Sequence, residues 1–225
     1  MGATLVLFDI DGTLITSGGA GRRAMEQALA AAGCRGLSFS MAGMTDRAIV
    51  RRALQAESME AEEGLIDEIL SRYLAILKVS LGDQVQMLRG VQPLIDQLAA
   101  WPEVQMGLGT GNLAAGAEIK LRPTGLWPRF AFGGFGCDAE RRPELLAVAA
   151  RRGAQVAGMA LEHCRVVVVG DTVHDIDAAR ANGFACVAVA SGGNDRATLA
   201  GAAPELLIDS LEERQLLSWL KELTR

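Results

Sequence analysis

Short apolar runs alternate with amphipathic segments along most of this chain, and this alternation constrains its fold more than any other feature. Strands are predicted at residues 4–8, 104–108, 130–132, 166–169, 185–190 and 205–208. Helical periodicity lies between them, at residues 91–100, 113–121, 143–152, 175–181 and 211–223. Runs that are apolar on both faces are typical of strands buried in a parallel sheet. The pattern therefore predicts an α/β fold with helices on both faces of a parallel sheet.

One stretch breaks the alternation, because residues 17–82 show helical periodicity without a convincing strand. Its predicted helices span residues 20–32, 45–57 and 60–80, and glycine-containing segments flank it at 17–21 and 81–83. We expect an all-helical domain, 17–82, inserted into an α/β core domain made of residues 1–16 and 83–225. Such an insert would lie beyond the carboxyl end of the first strand, where open α/β sheets bind ligands.

The composition limits which partners and which cellular location we expect for the chain. Half of the 225 residues are apolar, which excludes a disordered chain. No apolar run approaches the roughly 18 residues that span a membrane. The 22 basic and 27 acidic residues give a net charge of −5, so neither nucleic acid nor an anionic membrane is an expected partner. The dispersed cysteines form no CxxC pair, which disfavours a zinc site, and we expect a reduced, cytoplasmic location.

Two carboxylates, Asp9 and Asp11, follow the first predicted strand directly, in the sequence DIDGTL. Such a pair occurs in ordinary solvated turns, but it also suits phosphoryl transfer. One carboxylate can attack phosphorus. The other can protonate a leaving oxygen and later deprotonate water.

A second acidic cluster, GDTVHD at residues 170–175, follows the strand predicted at 166–169. Because the carboxyl ends of parallel strands lie at one edge of a sheet, we expect Asp171 and Asp175 to converge with Asp9 and Asp11. Several like charges at close range require a cation. Hard oxygen ligands without a set of His and Cys side chains indicate Mg²⁺ as the cofactor.

A third polar element, GTGN at residues 109–112, lies between a predicted strand and a predicted helix. A hydroxyl group and free backbone N–H groups at a helix N-terminus can bind an anion. The dinucleotide-binding fingerprint lacks its third glycine here, and no GK[ST] sequence occurs. Thr110, Gly111 and Asn112 are therefore candidate phosphate-binding residues.

With these motifs in this order, the sequence resembles the haloacid dehalogenase superfamily. The resemblance rests on DIDGTL at residues 9–14, TGN at 110–112, GDTVHD at 170–175 and AARANG at 178–183. Residues 17–23 and 42–47 resemble the phosphoglycolate-phosphatase-like branch. The resemblance implies a Rossmann-like core with an inserted helical cap and the activity of a Mg²⁺-dependent phosphatase.

The resemblance also implies a role for each polar group. Asp9 would be the nucleophile that becomes an aspartyl-phosphate, and Asp11 would be the general acid and base. Thr110, with the N–H of Gly111, would hold the phosphate. The implied metal ligands are Asp9, Asp11 through its main-chain carbonyl, Asp171 and Asp175.

One position departs from the family pattern. The family has a lysine near the start of the segment before the last motif, where this chain has Arg142. Lys120, one of only three lysines, lies eight residues after Asn112, so its side chain can reach back to the phosphate seat. We predict that Lys120 neutralises charge on the nucleophile and the phosphate. Arg142 is the alternative, since arginine binds phosphate through a bidentate fork.

The predicted function is hydrolysis of a small phosphorylated metabolite, phosphoglycolate-like or a sugar phosphate, through an aspartyl-phosphate. Phosphoglucomutase-type transfer would use the same acids and stays open, as does a catalytically idle protein that binds a phosphorylated metabolite. A dehalogenase is disfavoured, because it needs neither a general acid at Asp11 nor a carboxylate cluster for Mg²⁺. Monomer and homodimer are both open.

Overall fold

The computed structural model describes residues 2–35 and 37–224, and a parallel sheet lies at its centre. The strands are β1 (Ala3–Phe8), β2 (Ile15–Thr16), β3 (Gln86–Met87), β4 (Val104–Gly109), β5 (Phe132–Gly134), β6 (Cys164–Gly170), β7 (Ala185–Val189) and β8 (Leu206–Ile208). Within the described residues, six of them form the main sheet in the order β5-β4-β1-β6-β7-β8, with parallel neighbours throughout. Met1 and Arg225, which the predicted core includes, lie outside the described residues.

Nine α-helices are described in the structure, of which the last six along the chain cover both faces of this sheet. They are α1 (Ala20–Ala31), α2 (Asp46–Ala56), α3 (Glu63–Ser80), α4 (Val91–Ala99), α5 (Ala114–Leu121), α6 (Arg142–Val156), α7 (Val173–Ala181), α8 (Arg196–Gly201) and α9 (Arg214–Leu223). Alternate residues of β1 point to opposite faces, as strand geometry requires. Val6 and Phe8 pack in the core with α4, α5 and α9, and Leu5 and Leu7 pack with α6, α7 and α8. None of the helices described is both long and apolar enough to cross a membrane.

The segment between β2 and β3 has a hydrophobic cluster of its own. Helices α1, α2 and α3 contribute most of its buried side chains, among them Met25, Ile49 and Tyr73. Strands β2 and β3 pair antiparallel, with Ile15 opposite Met87. The chain therefore leaves the core through β2 and returns through β3, and these two strands lie next to each other.

The predicted fold class, α/β with helices on both faces of a parallel sheet, is confirmed, with local differences. The strand predicted at 130–132 lies at Phe132–Gly134, because two glycines leave it little apolar signal. The short elements β2, β3 and α8 carry too few residues for a periodic pattern. Helix α7 begins at Val173 and not at residue 175, because Thr172 caps it.

Candidate active site

Asp9 and Asp171 leave neighbouring strands at the same edge of the sheet. Phe8 lies opposite Val169 in the parallel register, and the N–H of Asp9 donates to the carbonyl of Val169 at 2.9 Å. One carboxylate oxygen each of Asp9, Asp171 and Asp175 lies within 4.8 Å of the others. The structure thus brings together three of the four acids predicted as metal ligands. We call these three residues the carboxylate cluster.

The turn after β1 fixes Asp171. Gly12 has a φ of 82°, and a Cβ atom at this position would lie 2.1 Å from Oδ2 of Asp171. Thr13 donates its hydroxyl to Oδ1 of Asp171 at 2.9 Å, and the N–H of Gly193 donates to Oδ2. Only glycine fits this backbone conformation and this close approach. The DIDGTL motif therefore orients a carboxylate that lies far away in sequence.

Asp175 is held by the helix start that follows β6. Its Oδ2 accepts hydrogen bonds from the backbone N–H of Thr172 at 3.0 Å and from the hydroxyl of Thr172 at 2.7 Å. The hydroxyl oxygen of Thr172 accepts in turn from the backbone N–H of Asp175, which completes a capping box. The other oxygen, Oδ1, is left for the carboxylate cluster. Asp175 is the third residue of α7 and not its first, which corrects the predicted helix start.

The carboxylate cluster carries more negative charge than its surroundings favour. Burial raises the pKa of Asp9 to about 6, with Asp175 adding to the effect and Arg142 opposing it. Burial, followed by the charges of Asp9 and Asp175, raises the pKa of Asp171 to about 7. Among the described residues, Oδ1 of Asp9 and Oδ1 of Asp175 are buried without a hydrogen-bond partner. Buried, crowded, hard oxygen ligands of this kind fit a small divalent cation.

Arg142, the first residue of α6, lies against this cluster. Its Nη2 is 3.0 Å from Oδ1 of Asp9 and 2.7 Å from Oδ1 of Asp175, at ion-pair distances outside hydrogen-bonding angles. Burial lowers the pKa of Arg142, but the charges of Asp175 and Asp9 raise it more, so the guanidinium stays charged. Its Nη1 donates to the carbonyl of Gly43 at 3.1 Å. The positive charge nearest to the predicted nucleophile is therefore the one on Arg142.

Lys120 contacts a different carboxylate, that of Asp11. Its Nζ is 2.6 Å from Oδ2 of Asp11 and 2.7 Å from Oδ1 of Asn112. Burial lowers the pKa of Lys120, but the charge of Asp11, with smaller effects of Tyr73 and Asp46, raises it more. The contacts favour Arg142 over Lys120 as the residue that neutralises the nucleophile. That role itself stays a prediction for both residues.

The predicted phosphate seat connects β4 to α5. The hydroxyl oxygen of Thr110 accepts from the backbone N–H of Asn112 at 3.3 Å and from its Nδ2 at 2.9 Å. A Cβ atom at Gly111 would lie 2.3 Å from the carbonyl oxygen of Met44, and the carbonyl of Gly111 accepts from the N–H of Asp46 at 2.8 Å. The helical segment therefore touches the core at the phosphate seat.

A cavity of about 410 Å³ lies over the carboxylate cluster. Its wall on the side of residues 17–82 includes Gly21, Arg22, Met41, Met44 and Tyr73. The helical segment therefore forms one side of the cavity above the carboxylate cluster.

Asp46 also lines this cavity, although its sequence context predicts no functional site. Its Oδ2 accepts from the N–H of Leu113 at 2.8 Å, so it crosses from α2 to the start of α5. Burial raises its pKa to about 6, although Lys120 opposes the shift. In the sequence, Thr45 followed by an acid reads as an ordinary helix start, which hides this second contact.

Comparison with known proteins places this geometry in a family. A sequence profile of haloacid dehalogenase-like hydrolases matches residues 3–183. The chain belongs to this family. It is 29% identical over 210 residues to the phosphoglycolate phosphatase of Synechococcus elongatus, covering 91% of this chain and 92% of that protein. It is 32% identical over 195 residues to the phosphoglycolate phosphatase of Xanthomonas campestris, covering 81% of each.

A solved structure shows the same fold. The crystal structure of a hydrolase from Pseudomonas syringae superposes with a TM-score of 0.74 at 22% sequence identity, covering 98% of this chain and 99% of that one. The predictions of a haloacid dehalogenase-type family, an α/β fold and a hydrolase of the phosphatase kind are confirmed.

Proposed function

We propose that this phosphatase hydrolyses a small phosphate monoester and that Asp9 carries the phosphoryl group from substrate to water. The observation that supports this most is the position of Asp9. Asp9 is 6% exposed, directly follows strand β1 and forms an ion pair with Arg142. A nucleophile for phosphorus needs such a fixed carboxylate with positive charge beside the transferring oxygens.

In the proposed reaction, a carboxylate oxygen of Asp9 bonds to phosphorus as the bond from phosphorus to the leaving oxygen breaks. Asp11 gives its proton to that leaving oxygen. Asp11 then takes a proton from a water molecule, whose oxygen attacks phosphorus and releases Asp9. Thr110, Gly111 and Asn112 would hold the non-bridging oxygens of the phosphoryl group, and Arg142 would offset their negative charge.

We propose Mg²⁺ as the cofactor, held by Asp9, Asp171 and Asp175 with the main-chain carbonyl of Asp11. When bound, this ion would offset charge on the phosphate and on the nucleophile. The raised pKa values of Asp9 and Asp171, to about 6 and about 7, support a site built for a cation.

We further propose that residues 17–82 act as a cap that selects the leaving group. The contact between residues 44–46 and Gly111 supports this, as does the 410 Å³ cavity beneath the segment. A cavity of this size suits a leaving group of glycolate or sugar dimensions. Phosphoglycolate is the first candidate, because two relatives are phosphoglycolate phosphatases.

The test is phosphate release from phosphoglycolate, sugar phosphates and glycerol phosphates, with Mg²⁺ and with EDTA. We expect release that requires Mg²⁺ and disappears in Asp9→Asn. Asp177→Asn, an exposed acid on α7 paired with Arg180, is the matched control and should keep full activity. Isomerisation of a sugar phosphate without net release would favour the mutase, and ligand binding without turnover would favour an idle binding protein.

A further inference from the structure

Lys120 is buried deeply for a lysine, and the proposed transfer of phosphate to Asp9 does not account for it. It lies in α5, is 4% exposed, and its Nζ contacts Asp11 and Asn112 rather than the carboxylate cluster. A charged amine in such a place needs strong partners to offset its desolvation. The contacts of Lys120 therefore indicate a role centred on Asp11.

Asn112 completes the arrangement. Its Nδ2 donates to Oδ2 of Asp11 at 2.9 Å and to the hydroxyl oxygen of Thr110, also at 2.9 Å, while its Oδ1 accepts from Lys120. Oδ2 of Asp11 thus has two donors, from Lys120 and Asn112. Within the described part of the chain, no donor reaches Oδ1 of Asp11. One oxygen of this carboxyl group is held and the other is left for chemistry.

Without these donors the side chain of Asp11 would have little to fix it. It is 41% exposed and lines the cavity. A proton donor must be held within hydrogen-bonding reach of the leaving oxygen, and small displacements cost large factors in rate. A fixed Asp11 therefore needs a support, and Lys120 is placed to give it.

The helical segment closes over this support. A Cβ atom at Gly21 of α1 would lie 3.3 Å from Nζ of Lys120. Tyr73 of α3, which is 2% exposed, lines the same cavity as Lys120. The ammonium group of Lys120 is therefore covered by residues of the proposed cap, whereas Asp11 stays open to the cavity.

We infer that Lys120 is a positioning residue, which with Asn112 fixes Oδ2 of Asp11 so that Oδ1 delivers the proton to the leaving group. The inference rests on the proposed function. As the bond from phosphorus to the leaving oxygen breaks, the proton on Oδ1 moves to that oxygen, and Asp11 becomes a carboxylate held by Lys120 and Asn112. In the second half, Oδ1 takes a proton from the attacking water.

The test uses the dependence of rate on the leaving group. An alkyl phosphate needs a proton on its leaving oxygen, whereas p-nitrophenyl phosphate releases a stable anion without one. General acid catalysis contributes roughly 10²–10⁴-fold in rate. We expect Lys120→Met to lower kcat/KM for glycerol phosphate or phosphoglycolate by about 10²-fold and for p-nitrophenyl phosphate by less than about 5-fold. Asp11→Asn should show the same selective loss, and Lys78→Met, an exposed lysine of α3, should show none.

Each other outcome decides something different. An equal loss across all esters would place Lys120 on the phosphate and overturn the inference, and so would full activity of Lys120→Met. If Lys120→Met does not fold, Lys120→Arg keeps the charge but displaces the donor, and the same selective loss is required of it. Absence of phosphate release from every ester by the unmodified protein would instead reject the proposed function, and the role of Lys120 with it.

Discussion

Replacing Arg142 with methionine tests how much of this fold depends on one buried charge. Arg142 is 7% exposed, and its ion pairs with Asp9 and Asp175 measure 3.0 and 2.7 Å. Removing one partner of a buried ion pair costs about 3–5 kcal/mol, because the remaining charges lose their compensation. For a chain of this size each kcal/mol lowers Tm by about 2–4 °C, so we expect Tm to fall on the order of 10 °C.

The assay is thermal unfolding with and without Mg²⁺, together with phosphate release. Mg²⁺ should recover part of the lost Tm, because it would bind the same carboxylates, whereas kcat should stay about 10²-fold low without the guanidinium. Arg141→Met is the matched control, because Arg141 is the preceding residue, its side chain is 76% exposed and it contacts Glu144. An Arg142→Met protein with unchanged Tm and unchanged kcat would show that the buried charge of Arg142 neither stabilises the fold nor assists phosphate release.

Two further predictions follow from close contacts and burial. Gly111→Ala would place a Cβ atom 2.3 Å from the carbonyl oxygen of Met44, so stability should fall by about 1–3 kcal/mol and activity with it. Gly64→Ala, which meets no atom within 4 Å, should stabilise the protein slightly, and urea unfolding compares the two variants. Because burial raises the pKa of Asp46 from 3.8 to about 6, the unfolded chain loses this proton at a lower pH than the folded protein does, so the folded state loses stability as pH rises from about 4 to about 6 and no more above that. The stability gain of Asp46→Asn should therefore grow from near zero at pH 4 to about 2–3 kcal/mol at pH 8, and a gain that does not change with pH would contradict it.

The sequence was sufficient to predict the convergence of the acids. Asp9 and Asp171 each follow an apolar run, and parallel strands end at a common edge, so their meeting follows from topology alone. The contact partner of each cation was harder to predict. Lys120 lies within reach of the site by helical spacing, but this spacing does not decide whether its Nζ contacts Asp9 or Asp11.

Contacts between the helical segment and the core could not be predicted from local sequence patterns. Asp46 meets Leu113 and Gly111 only because packing brings α2 against the start of α5. Gly111 indicates in the sequence that another backbone segment comes close at this point. The periodicity of the sequence does not predict that this segment contains Met44. Strand β5 was displaced by two residues for a related reason, since its glycines carry no apolar side chain.

The pairing of β2 with β3 has a consequence for how a family of such proteins can vary. Neighbouring strands lie about 4.8 Å apart, so residues 17–85 leave and re-enter the core through one narrow gap. Closing a loop twice as long costs only about 0.6 kcal/mol more. The inserted segment can therefore be lengthened, shortened or exchanged without changing the register of the central sheet. Under the proposed function, recognition of the leaving group by residues 17–82 could then change between relatives while the chemistry at Asp9 stays the same.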